Sequence, residues 1–466
     1  MIFNSTVFLI FFAAVTLLFW VCRRNAGHRN LLIVAASLLF YGWWDWRFVG
    51  LLLITGGLDF YAAQRIEASS DPVVRKRWLI LSLFSNLGAL GFFKYWGFFV
   101  DSAVTALGHL GIQASRPMLD IILPAGISFY TFQALSYTVD VYLGTLKCDR
   151  DPIRYFAFLT FFPQLVAGPI ERASFLLPQF HVTRQVTGAL VNRGIWLIVW
   201  GFFMKVVLAD YLGPLVDLAF GSPSAGGRVI VLGTLAFGGQ IYCDFAGYSS
   251  IALGVANTLG FQLSVNFSQP YLAGNIQEFW RRWHQTLSTW FRDYVYIPMG
   301  GDRRGTHRTI FNVIGTFALA GLWHGANWTF IIWGFCHGMA LAVYRLWKKC
   351  PLGRSWTMPW PVGWILTLSV VGTGWLFFRA TSVEHAFSLI GAWWKGQPPA
   401  WAGTYGVAVL PAILAILALD FFHRRCPWER VARWPLAARA TLQALLIVFV
   451  VARWGREASP FIYFQF

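Results

Sequence analysis

The residues best placed to do chemistry begin with His324. The run 309–344 holds no Asp, Glu, Lys or Arg, lies between Arg308 and Arg345, and carries Gly321-Leu322-Trp323-His324-Gly325 near its middle. An imidazole in hydrocarbon is costly to ionise, so it would rest neutral and could take a proton from a hydroxyl or thiol as a general base. Glycine on both sides would let another backbone or a ligand approach closely. The plainer alternative is a core histidine hydrogen-bonded across helices. Both flanks are basic, which places both ends on the cytoplasmic side, yet two full spans need about 40 residues plus a turn. The chain must turn back early, with His324 at the apex, or cross as one long tilted helix.

The stretch 277–294 is the second constellation. On a single helix, Trp280, Trp283, His284, Leu287 and Phe291 would share one face at i, i+3, i+4, i+7 and i+11, with Arg281, Arg282 and Arg292 largely elsewhere. Such a helix can lie on an anionic leaflet. It can equally form the wall of a cytoplasm-facing cavity, with His284 directed inward and arginines attracting a phosphate-bearing donor. The loop that follows, Pro298 to Gly305, is rich in glycine and carries Arg303 and Arg304, which suits a phosphate contact without matching a nucleotide-loop motif. Asp59, Asp140, Lys205, Asp210 and Asp244 lie in or beside apolar stretches, where ionisable groups are functional candidates and one aspartate can pair with Lys205. Phe461 to Phe466 is oddly hydrophobic for a chain end. It reads as an aromatic interface anchor or as an inserted segment that presents the Tyr463 phenol as a nucleophile.

The elements that would hold these residues are membrane helices. The chain has 466 residues, 57% hydrophobic and only 12% charged, against about 25% charged in soluble proteins. The long charge-free runs and several shorter apolar stretches amount to about ten to twelve membrane or re-entrant segments, all-α because backbone must satisfy itself in lipid and alternating strands of barrel type are absent. No polar linker divides them, so residues 1–466 read as one membrane-embedded domain. The excess of 37 basic over 20 acidic residues sits mostly in short gaps such as Arg65 to Arg77 and Arg345 to Arg354. Membrane topology explains that placement, and a nucleic-acid partner is not expected. Met1 to Cys22 lacks the basic start of a secretory signal, so it is expected to be a retained span with its N-terminus outside. The dispersed cysteines indicate neither a zinc site nor a disulfide framework, and no metal or bound cofactor is expected. A transporter of polysaccharide or lipid intermediates would also have many spans, but no matched pair of broken helices marks an inverted repeat.

The sequence resembles the membrane-bound O-acyltransferase family in its bacterial, alginate O-acetyltransferase-like branch. The likeness is carried by 132–142 (FQALSYTVDVY), 162–170 (FPQLVAGPI), 279–294 and Leu322-Trp323-His324-Gly325, and it runs along essentially the whole chain. It implies a funnel-shaped all-α membrane enzyme with His324 catalytic and His284 lining the same tunnel. It further implies acetyl-CoA or another acyl carrier as a cytoplasmic donor, and Arg281, Arg282, Trp283, Arg303 and Arg304 as donor-binding candidates. An SGNH-type periplasmic protein would complete transfer to an exported polymer from the bacterial inner membrane. Alginate is the first expectation for that polymer. Cellulose or peptidoglycan O-acetylation and D-alanyl transfer from a carrier protein are alternatives. The final segment is similar to the tyrosine-containing tail of the small peptide in teichoic-acid D-alanylation, which implies an acyl relay at Tyr463.

Overall fold

The computed structural model describes residues 1–115, 119, 121–183, 186–222, 224–355, 358–395, 399–455 and 461–462, and every regular element among them is a helix. Among the described residues, seven helices are long and apolar enough to cross a bilayer: Pro72–His109, Gly188–Phe220, Gly227–Thr258, Trp328–Lys349, Trp360–Arg379, Ala402–Arg425 and Leu436–Arg453. Several other sequence-predicted segments form shorter or more polar helices, among them Thr6–Cys22, Arg47–Ala68 and Gly305–His324. Val21, Phe84 and Val407 are 81%, 75% and 74% exposed on such helices, an outward face that lipid tolerates and water does not. The chain is an all-helical, multi-pass membrane protein. Its residues gather into two compact units, Met1–Gly194 with Val255–Ser264 and Ile195–Gly254 with Val265–Phe466.

In the first unit, helices start where capping side chains can take orphan amides: Ser5 accepts from Phe8 N, and Asp71 and Asp151 cap helices whose next residue is proline. The buried Asp59 carboxylate accepts from Ser82 Oγ at 2.5 Å and Asn86 Nδ2 at 2.9 Å, so it has an internal hydrogen-bond role. Two of the family-like motifs meet here. Gln133 and Gln164 both donate from Nε2 to the Phe158 carbonyl, at 2.9 and 3.2 Å. These glutamines lock a buried turn, which explains their residue type without catalysis.

In the second unit the run 309–344 turns back. Gly305–His324 and Trp328–Lys349 form an antiparallel hairpin, and the three residues between them include Asn327, whose side chain caps Thr329 N. The helices gain their length by continuing into the basic flanks at both ends. At 1.5 Å per residue, the 20-residue first arm carries His324 about 30 Å from Gly305. The glycines beside His324 serve this hairpin: a Cβ on Gly321 would strike the Phe330 carbonyl, and one on Gly325 would strike the Phe330 ring. Gly334 faces the Phe317 carbonyl in the same way. Gly334→Ala should therefore cost roughly 1–3 kcal/mol by overpacking, measured by unfolding in micelles. Gly372→Ala, with nothing within 4 Å of the added carbon, should cost almost nothing.

Candidate active site

His324 ends its helix buried, 3% exposed, with its ring 5.0 Å from Trp333 at 85° and 5.3 Å from Phe378 at 70°. Edge-on aromatic packing on two sides fixes the plane of the imidazole. The same residue lines a cavity of about 430 Å³ whose wall also includes Trp280, Arg281, Ser288, Arg292, Trp333 and Arg345. A second cavity, about 450 Å³, shares Gln277, Asp302, Val313 and Arg345 with the first and adds Lys348 and Lys349. Five cations and one carboxylate, Asp302, thus surround the two chambers. Arg345 Nη1 lies 3.0 Å from Asp302 Oδ1 and donates to the Tyr296 hydroxyl at 2.8 Å. Burial, and then Asp302, push the Tyr296 phenol above its ordinary value, so it stays protonated and donates to that carboxylate. Arg281 has no ion-pair partner among the described residues.

The stretch 277–294 does not form one helix. Ile276–Arg282 stops, Trp283 is extended, His284 takes a left-handed φ of 41°, and Gln285–Phe291 begins anew. The backbone groups opened by this break are taken up by 266–268. Gln285 N–H donates to the Asn266 carbonyl at 2.9 Å, and Ser268 N–H donates to the Arg282 carbonyl at 3.0 Å. A left-handed histidine is sterically costly and survives only where its surroundings over-determine it. His284 is 1% exposed, packed on Phe245 at 4.6 Å and 6.1 Å from Trp323, whose ring is in turn 5.0 Å from His324. It therefore sits one aromatic ring away from His324 and is not part of the wall of the 430 Å³ cavity.

The other sequence-predicted residues separate. Arg281 is on the cavity wall. Arg282 is tied to Glu278 and the Gln269 carbonyl, and Trp283 is buried between Phe267, Phe279 and Trp375. Arg303 and Arg304 are exposed on the loop beside Asp302. Tyr463 lies outside the described residues. Lys205 pairs with two aspartates, Asp210 and Asp244, each at 2.9 Å. Sequence reasoning missed Arg345, Lys348 and Lys349 as site residues, although their cluster at the end of the charge-free run was visible.

Residues 149–380, which include His284, His324 and every cation of the two cavities, match the model of the membrane-bound O-acyltransferase family. The probable alginate O-acetylase AlgI of Pseudomonas putida is 37% identical, with all of both chains covered. The chain belongs to the membrane-bound O-acyltransferase family. The peptidoglycan O-acetyltransferase of Helicobacter pylori is 33% identical over 84% of this chain and 79% of its own. The teichoic acid D-alanyltransferase of Bacillus subtilis is 29% identical over 72% and 84%. As a member of this family with several apolar spans, the chain is a membrane O-acyltransferase. Phe461–Ile462 and the 132–142 motif fall outside the part matched by the family model.

Proposed function

We propose that this enzyme takes acetyl from acetyl-CoA in the bacterial inner membrane, its N-terminus periplasmic, and delivers it to an exported polysaccharide such as alginate. The observation that carries the reading is the position of His324: a buried imidazole on the wall of a cavity whose mouth is rimmed by Arg281, Arg292 and Arg345. A phosphate-bearing thioester suits such a mouth because guanidinium groups hold phosphate oxygens in a paired geometry, and the neighbouring basic cavity extends the same field. The names of the Pseudomonas putida and Helicobacter pylori relatives support acetyl as the group and a cell-envelope polymer as its destination.

In the first step, His324 removes the phenolic proton of Tyr463 as the oxygen attacks the thioester carbonyl. The C–S bond breaks, and the thiolate leaves with the proton returned by the imidazolium. In the second, the serine of an SGNH-type periplasmic protein attacks the tyrosyl ester, which regenerates the phenol and carries acetyl toward the sugar. Thioester and aryl ester are both activated acyl groups, so neither exchange is steeply uphill. The protein in nanodiscs, given radiolabelled acetyl-CoA, should bind it and release free thiol; a preparation that does neither would favour a transporter. Arg281→Glu should raise the KM for acetyl-CoA about tenfold, the equivalent of ~1.4 kcal/mol, with kcat little changed. The effect should shrink in high salt because Arg281 is exposed.

A further inference from the structure

One buried cluster is not used by the chemistry above. Lys205 lies in a π-helical turn, Phe203–Ala209, between Gly188–Phe202 and Asp210–Phe220, and such turns redirect a side chain that a regular helix would point elsewhere. The helix Gly227–Thr258 comes unusually close at this level. A Cβ on Gly201 would lie 2.5 Å from the Gly247 carbonyl, and one on Gly247 would lie 2.8 Å from the Gly201 carbonyl. Small residues at the crossing are what allow backbones to approach so far. The approach brings Lys205 Nζ to 2.9 Å from both Asp210 Oδ1 and Asp244 Oδ1, with all three side chains at most 6% exposed.

Charge balance asks for one carboxylate, and Asp210 already supplies it. A second buried carboxylate is costly unless it has hydrogen-bond work of its own. Asp244 has that work: its Oδ2 accepts the backbone N–H of Ile462 at 2.8 Å. The residue before, Phe461, packs on Tyr248 at 4.7 Å and on Phe245 at 5.7 Å. Phe245 is the ring that touches His284. The segment is thus held by its main chain on a fixed anion and by an aromatic side chain on two rings, one of which, Phe245, leads through His284 and Trp323 to His324.

We propose that Asp244, held in place by Lys205 and Asp210, is the docking receptor for Phe461–Ile462 and a positioning residue for acyl transfer through residue 463. The transfer half of this statement rests on the function proposed above; the docking half does not. The main-chain bond makes docking indifferent to the identity of residue 462, while the Tyr248–Phe245 platform asks for an aromatic ring at 461.

Hydrogen–deuterium exchange on the full chain in nanodiscs reads the Ile462 amide directly. It should exchange at least about 100-fold more slowly than in a free peptide of residues 455–466, and exchange at the free-peptide rate overturns docking. In Asp244→Leu, which leaves Lys205 and Asp210 balanced, the amide should exchange at least about tenfold faster while the Gly305–His324 amides stay protected. An unchanged Ile462 rate overturns the assignment. Should Asp244→Leu also expose the hairpin, Asp244→Asn takes its place, and its neutral, weaker acceptor should speed exchange about threefold or more; a wild-type rate there again overturns the assignment. Faster Ile462 exchange with undiminished polymer acetylation would support the docking role and defeat transfer through residue 463.

Discussion

His324→Ala is expected to lower acetyl transfer by roughly 10²- to 10⁴-fold, the range supplied by a general base, in a protein that still folds. The side chain borders a cavity, so its removal enlarges an existing space and does not leave a sealed void. Two of its neighbours, Trp333 and Phe378, are also in contact with each other at 5.3 Å, so the wall does not depend on the imidazole. His324→Gln should be equally inactive, since an amide reproduces hydrogen bonding but cannot accept and return a proton at neutral pH. Acetylation assays of both variants, with unfolding midpoints alongside, separate this from a structural role. A structural histidine would instead give a poorly folded Ala variant and an active Gln variant.

The second large effect is expected at Tyr463. Tyr463→Phe keeps the ring and removes the only hydroxyl in 461–466, so polymer acetylation should fall to the level of His324→Ala while acetyl-CoA binding is unchanged. A nucleophile cannot be replaced by packing, and loss of a covalent intermediate leaves only the uncatalysed exchange. Normal acetylation by Tyr463→Phe would leave the segment as an anchor. His284→Ala should be milder in its effect on chemistry than on the fold, because that ring holds the left-handed break between two helices and packs edge-on against Phe245.

The all-helical, lipid-facing character of the chain was legible from scarce charge together with the lack of alternating strands, because only helices and closed barrels satisfy their backbone in lipid. The site was legible only in part. For the run 309–344 two courses were open, since the count of apolar residues omits Arg308 and Arg345 to Lys349, which the two helices in fact include. The glycines flanking His324 suggested close approach by another backbone or a ligand, and the Phe330 carbonyl and ring make that approach. The face shared by Trp280, Trp283 and His284 failed for a different reason. A periodic pattern over a dozen residues is satisfied as well by two short helices as by one long one, and the segment that stabilises the break, 266–268, lies outside the pattern. Neighbours in sequence therefore parted: Arg281 reached the cavity, whereas Arg282 found Glu278 and Trp283 went into the core. Arg345, Lys348 and Lys349 read as topology signals because their second role depends on the hairpin folding back toward Arg281.

The most direct test is a single-turnover experiment with isotope-labelled acetyl-CoA and purified protein, quenched and digested for mass spectrometry of the peptide that contains residue 463. Wild type should carry one labelled acetyl group there, and His324→Ala should carry none while still binding the donor. Equal labelling in both proteins, or thiol release from wild type with no acetyl on that peptide, would contradict a His324-driven transfer through Tyr463.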